Sequence, residues 1–136
     1  MKKSYINPPG SPVPKSYHHT VAVEGGRTLY LSGQVAFDKN RQIVGGNDVV
    51  EQTRQAMRNL RAAVEAGGGQ ISDMVQITTH VVNFDPAQLN HITETIAEFF
   101  PAECLPANTL VSTPSLSTDG LLIEIGGIAV TESPWP

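Results

Sequence analysis

The sequence predicts an α+β domain, a mixed six-stranded sheet with two helices on one face, in the order β-β-β-α-β-α-β-β. Two observations give the helices. Thr53, Met57, Leu60 and Val64 recur at 4-3-4 spacing, and Leu89, Ile92, Ile96 and Phe99 form a second apolar stripe. A third gives the sheet: six short runs enriched in Val, Ile and Thr stand apart, separated by Gly, Pro and Asp. At 136 residues the chain, 1–136, is a single domain long enough to bury its own core.

Residues 1–15 hold four prolines and few large apolar groups, and read as an extended N-terminal arm outside the core. Strands over 20–24 and 28–32 flank Gly25-Gly26, a strong hairpin signal. Residues 35–37 supply a short third strand. Asp48 precedes the first helix, and Gly67-Gly68-Gly69 ends it. Arg54, Arg58 and Arg61 share another face of that helix, read as solvated. Residues 74–83 form a strand, and Asp85-Pro86 opens a second helix over 86–100. Pro101 and Pro106 bracket the connection to the last strands, 108–112 and 121–130.

Composition excludes several classes. A net charge of −4 provides no basic footprint for nucleic acid. No stretch approaches the roughly 18 apolar residues of a membrane span. The start, from Met1 to Pro9, has lysines but no apolar run of a signal peptide. The single Cys104 excludes an internal disulfide and fits a reducing cytoplasm. His18, His19, His80 and His91 are scattered without ligand spacing, so neither a metal nor another cofactor is expected.

Two helices cover only one face of such a sheet. A bare second face is an apolar liability, relieved by packing against copies of the same chain with closed symmetry. This predicts an oligomer without giving its number.

Near the C-terminus, Pro106-Ala107-Asn108-Thr109 is followed by Ile123-Glu124-Ile125-Gly126-Gly127-Ile128-Ala129-Val130. Ser16-Tyr17, Leu31-Ser32-Gly33-Gln34 and Glu51-Gln52-Thr53-Arg54-Gln55 come before them in order. Together these segments, spanning about Tyr17 to Val130, resemble the RidA/YjgF family. That family carries Pro-Ala-Arg-Ser/Thr and Val-Glu-Ile-Glu-hydrophobic-Ile-Ala at the matching places. The resemblance implies a chorismate-mutase-like homotrimer with its sheets inward and small-molecule clefts between subunits. It also implies enamine/imine deaminase chemistry, hydrolysing 2-aminoacrylate-type intermediates to a 2-keto acid and ammonia. In that chemistry an arginine grips the substrate carboxylate, and a glutamate positions the attacking water.

Carried over by position, Glu124 is the catalytic glutamate. Gly33 is the glycine whose backbone faces the ligand, and Ser32 and Tyr17 line the cleft. The helix-two asparagine of the family falls on Thr93, with Asn90 one turn earlier. A cysteine often found two residues after the arginine falls on Leu110. The arginine itself falls on Asn108, which is neutral. Asn108 suits an amide, carbonyl or hydroxyl better than a carboxylate, so 2-aminoacrylate deamination is expected to be weak or absent. Whether a basic side chain from elsewhere, such as Lys15, Arg27 or Arg41, takes the place of the missing arginine stays open in the sequence.

Each residue has a plainer alternative. Glu124 is otherwise a structural carboxylate, Asn108 a strand-end cap, Tyr17 an interface aromatic and Gly33 a conformational glycine. Three functions remain: a deaminase- or amidohydrolase-like hydrolase working through Glu124 and water, a non-catalytic trimer that binds a small metabolite, and a ribonuclease. The last ranks low, because the chain is acidic and has no aromatic-basic stacking surface.

Overall fold

In a computed structural model, which describes residues 1–134, six strands and two helices build the domain. They are β1 (Lys2–Ile6), β2 (Thr20–Glu24), β3 (Arg27–Gln34), α1 (Val49–Ala66), β4 (Met74–Val82), α2 (Leu89–Ala97), β5 (Ala107–Thr113) and β6 (Ile123–Thr131). The order is the expected one, but its first member differs. Lys2–Ile6, expected in a free arm, is a strand that pairs antiparallel with β2 from Lys2↔Glu24 to Ile6↔Thr20. The physical reason lies in where the prolines fall. All four come at or after Pro8, so residues 2–6 keep every backbone donor a ladder needs.

The segment expected as a third strand makes only one isolated bridge, Phe37↔Ile43. Asp38 is the cause: its Oδ1 accepts from the Asn40 and Gln42 backbone N–H groups and closes a tight turn, with Arg41 at φ 61°. The six strands also fall into two hydrogen-bonded sheets, β1-β2 and β3-β6-β4-β5, not one. Gly25 and Gly26 adopt the positive φ angles of the expected turn, 75° and 83°. However, β2 ladders with β1 and β3 with β6, and their facing edges form no ladder with each other.

The helices obey their signals. Asp48 caps α1, accepting from the N–H groups of Val50 and Glu51, and Gly67 donates back to Ala63 and Val64. Met57, Leu60 and Val64 of α1 and Ile92 and Ile96 of α2 are buried against Ile77, Val81, Ile123 and Ile125. Leu89 departs from its expected stripe: it sits in the first turn of α2 and is 42% exposed. Gln52 is fully buried yet satisfied. It donates to Gly46 O and Gly120 O at 2.7 and 2.8 Å and accepts from Leu122 N at 2.8 Å. It thereby pins the entry to β6, two residues before Glu124.

β1 is fastened by polar contacts. Lys3 Nζ pairs with Asp73 Oδ1 at 3.2 Å, and the Tyr5 ring lies 5.2 Å from the His18 ring. Burial, and then the adjacent Cys104 thiol, push the Tyr5 hydroxyl up from 10.0 to about 12. A raised folded-state value makes stability complete below pH 10 and lost as pH climbs from 10 towards 12. Denaturant midpoints should therefore fall more steeply between pH 9 and pH 11 in the wild type than in Tyr5→Phe, as roughly expected from that linkage. Identical pH dependence in the two proteins would contradict this.

Candidate functional site

The sequence-predicted site residues divide into two groups. Tyr17, Thr93, Asn108 and Leu110 line one cleft of about 440 Å³, together with Lys15, Leu89, Asn90 and Glu94. Three pieces of chain meet there: the segment leading into β2, one flank of α2, and the edge strand β5. His18 ties the first of these to the chain entering the last. Its Nδ1–H donates to Leu105 O at 2.7 Å and its backbone N–H to Pro106 O at 3.3 Å. This clamp sets Lys15 and Tyr17 beside the start of β5, where Asn108 lies.

The hydrogen bonds decide what the cleft can offer. Thr79, fully buried on β4, donates its hydroxyl to Asn108 Oδ1 at 3.0 Å. With its oxygen engaged, Asn108 has its Nδ2–H₂ left to present. Thr93, expected as the helix-two polar group, spends its hydroxyl on Leu89 O at 2.9 Å, within its own helix. Asn90 lines the same cleft, and its side chain makes no hydrogen bond among the described residues. Asn90 is thus the free amide on α2. Of the two helix-two candidates the sequence offered, it is Asn90 whose polar group is unspent.

Ser32, Gly33 and Glu124 form the second group, away from that cleft. Gly33 sits where β3 slips by one residue against β6, between the pairs Leu31↔Gly127 and Gln34↔Ile125. A Cβ on Gly33 would come 2.5 Å from Glu124 Cδ and 2.8 Å from Oε1. A Cβ on Gly126 would lie 2.9 Å from Gly33 N. Bare backbone at both positions lets the Glu124 carboxylate lie across the bulge.

Strand alternation then separates the two groups. Glu124 stands between buried Ile123 and Ile125, and opposite His80, which stands between buried Thr79 and Val81. Both therefore point away from the helices. Asn108 bonds Thr79, and Leu110 packs against the core, so these two point towards the helix side. Asn108 and Glu124 of one chain lie on opposite faces of its sheet.

The arginine face of α1 is largely occupied. Arg54 pairs with Glu98 at 2.7 Å, and Arg61 lies over the Phe99 ring at 5.3 Å. Among the described residues, no group of three His, Cys, Asp or Glu side chains is placed to hold a metal ion. Among the same residues, no helix is long and apolar enough to cross a membrane.

A sheet with two helices on one face, a bulged Ser-Gly beside a strand carboxylate, and a polar cleft at the edge strand together define the class. Residues 11–131 match the family model described as Endoribonuclease L-PSP. The chain is 36% identical over 116 residues to a RutC family protein of Pyrococcus horikoshii, covering 84% of this chain and 87% of that one. It is 32% identical over 132 residues to a 2-iminobutanoate/2-iminopropanoate deaminase of Dermatophagoides farinae, covering 96% and 98%. The crystal structure of YyfB from Yersinia pestis, a Rid-family protein of unknown function, superposes with a TM-score of 0.91 at 35% identity, covering 96% of this chain and all of that one. The chain belongs to the RidA/YjgF family.

Gly33→Ala tests the bulge. The atoms in its way are the flexible end of Glu124, so the side chain should swing aside with a Tm loss of no more than about 4 °C, roughly 1 kcal/mol in a domain of this size. A crystal structure of the variant should show Glu124 displaced. A much larger Tm loss with Glu124 unmoved would mean the glycine serves the backbone instead.

Proposed function

We propose that the protein is a homotrimeric hydrolase acting on a small imine, enamine or amide-type metabolite, in clefts each shared by two subunits. The carrying observation is the split site. One chain places its water-activating carboxylate and its ligand cleft on opposite faces of the sheet. A second copy, laid with its open face against the β5 edge, brings the two together. The open face invites such cover: Tyr30 of β3 is 81% exposed and Val111 of β5 39%.

In the shared cleft Glu124 accepts a proton from water as the water oxygen attacks the imine carbon. Glu124 returns that proton to the imine nitrogen, giving a neutral carbinolamine; it then relays the carbinolamine O–H proton to the amine, the C–N bond breaks, and ammonia leaves behind a carbonyl group. Gly33 keeps room for the carboxylate, and Tyr17 and Leu110 wall the ligand. The similarity to the 2-iminobutanoate/2-iminopropanoate deaminase of Dermatophagoides farinae supports this class of reaction. Asn108 sets the departure from it. An amide holds a carboxylate with single hydrogen bonds, where a guanidinium uses a charged bidentate pair, so 2-aminoacrylate turnover is weak. The neutral Asn108 also favours a second reading, a trimer that binds a small metabolite without turning it over.

Light scattering should give three times the 14.6 kDa chain mass, and a stable monomer at micromolar concentration would contradict the shared cleft. Asn108→Arg should raise imine hydrolysis, followed by coupled keto-acid detection, by about tenfold or more, the value of a charge-assisted hydrogen bond. Adding Glu124→Gln should abolish the gain. A folded Asn108→Arg trimer with no activity would move the binding reading ahead.

A further inference from the structure

The family position for a cation is neutral, yet the cleft is not without positive charge. We propose that Lys15 anchors the carboxylate of a small monocarboxylate ligand, with Asn108 Nδ2 as the second donor, and that Glu94 turns away ligands bearing a second negative charge. This rests on reading the cleft as the ligand site.

Among the described residues, Lys15 is the one basic residue in the cleft lining. It forms no ion pair among the described residues, although Glu94 lines the same cleft. Its charge is therefore available to a ligand. The other two basic candidates lie elsewhere: Arg27 reaches Ser133 O, and Arg41 covers the Phe37 ring at 5.2 Å. Position supports Lys15 as well as charge. The His18 clamp holds the segment three residues after Lys15 against Leu105 and Pro106, immediately before β5. Lys15 and Asn108 thus approach one cleft from two strapped pieces of chain.

The chemistry of the two donors defines the ligand. Asn108 gives its oxygen to Thr79 and offers N–H₂, and an ammonium has donors and no acceptor. Two donors, one of them charged, call for a negatively charged acceptor, and a carboxylate oxygen pair accepts from both. A lysine is a point charge on a flexible stem, so this anchor is weaker than a guanidinium fork and more sensitive to salt. Glu94 imposes the upper limit on charge. A dicarboxylate that reaches Lys15 brings its second carboxylate into a cleft already carrying one.

The test is equilibrium binding of 2-oxobutanoate and 2-oxoglutarate, followed by NMR shift titration at low and high salt. Lys15→Gln should weaken 2-oxobutanoate binding by about fivefold, the upper range for an exposed pair, and flatten its salt dependence. Lys15→Gln with Asn108→Arg should restore the affinity. Glu94→Gln should narrow the preference for 2-oxobutanoate over 2-oxoglutarate. Lys15→Gln titrating like the wild type would overturn the proposal, as would a wild type that 2-oxobutanoate does not perturb. Turnover plays no part in this readout. Binding through Lys15 in a protein that shows no turnover in the separate imine assay would sink the hydrolase reading alone, and imine turnover with Lys15→Gln binding unchanged would sink the Lys15 anchor alone.

Discussion

The pleat of one sheet governs the functional structure. Alternation along β4 and β6 sends Thr79, Ile123 and Ile125 into the helix-covered core and His80 and Glu124 to the open face. Asn108, bonded to Thr79, is committed to the first side. No side-chain rotation carries Glu124 through the sheet to Asn108. On the proposed reading, a folded single chain is half of a site twice over, and assembly and chemistry become one requirement. The open face is mixed, with Tyr30 and Val111 exposed among polar side chains. It carries Gln76, Thr78, His80 and Glu124 beside Tyr30, a surface suited to packing in part and to lining a cleft in part.

Backbone economy at two glycines makes the open-face half workable. The β3 bulge at Ser32-Gly33 and the facing Gly126 bring two backbones close enough that a methyl group at either place would strike its neighbour. The cleft half is organised differently, by side chains that hold carbonyls. His18 straps the segment carrying Lys15 and Tyr17 to Leu105 and Pro106, and Thr79 orients the Asn108 amide. The substituted residue is thus not a vacancy. It has been given a fixed orientation by a buried hydroxyl, which presents its donor end.

Much of this was legible in the chain. The 4-3-4 spacing in α1, the Asp48 cap and the motif around Glu124 each carry a local signal, and each reads true in the fold. The misreadings have separate causes. Prolines at 8–14 made all of residues 1–15 look like an arm, although residues 2–6 contain none and pair with β2. Val35 to Phe37 has strand-like composition, but the Asp38 turn ends it before a ladder forms. Leu89 fits the α2 stripe by period, yet its place in the first helical turn puts it on the cleft. Asn108, Glu124 and Gly33 were singled out through their motifs, with Asn90 and Lys15 beside them as alternatives. That Lys15, Asn90 and Asn108 line one cleft while Glu124 stands on the other face was not legible, because nothing local to a residue reports which distant strand it will face.

The most direct measurement of the central claim is a crystal structure of the assembled protein soaked with 2-oxobutanoate. The account predicts one ligand per subunit boundary, touched by Asn108 and Lys15 of one subunit and facing Glu124 of its neighbour. An assembly in which Glu124 points to open solvent, or in which the ligand meets Asn108 with no neighbouring carboxylate in reach, would contradict it.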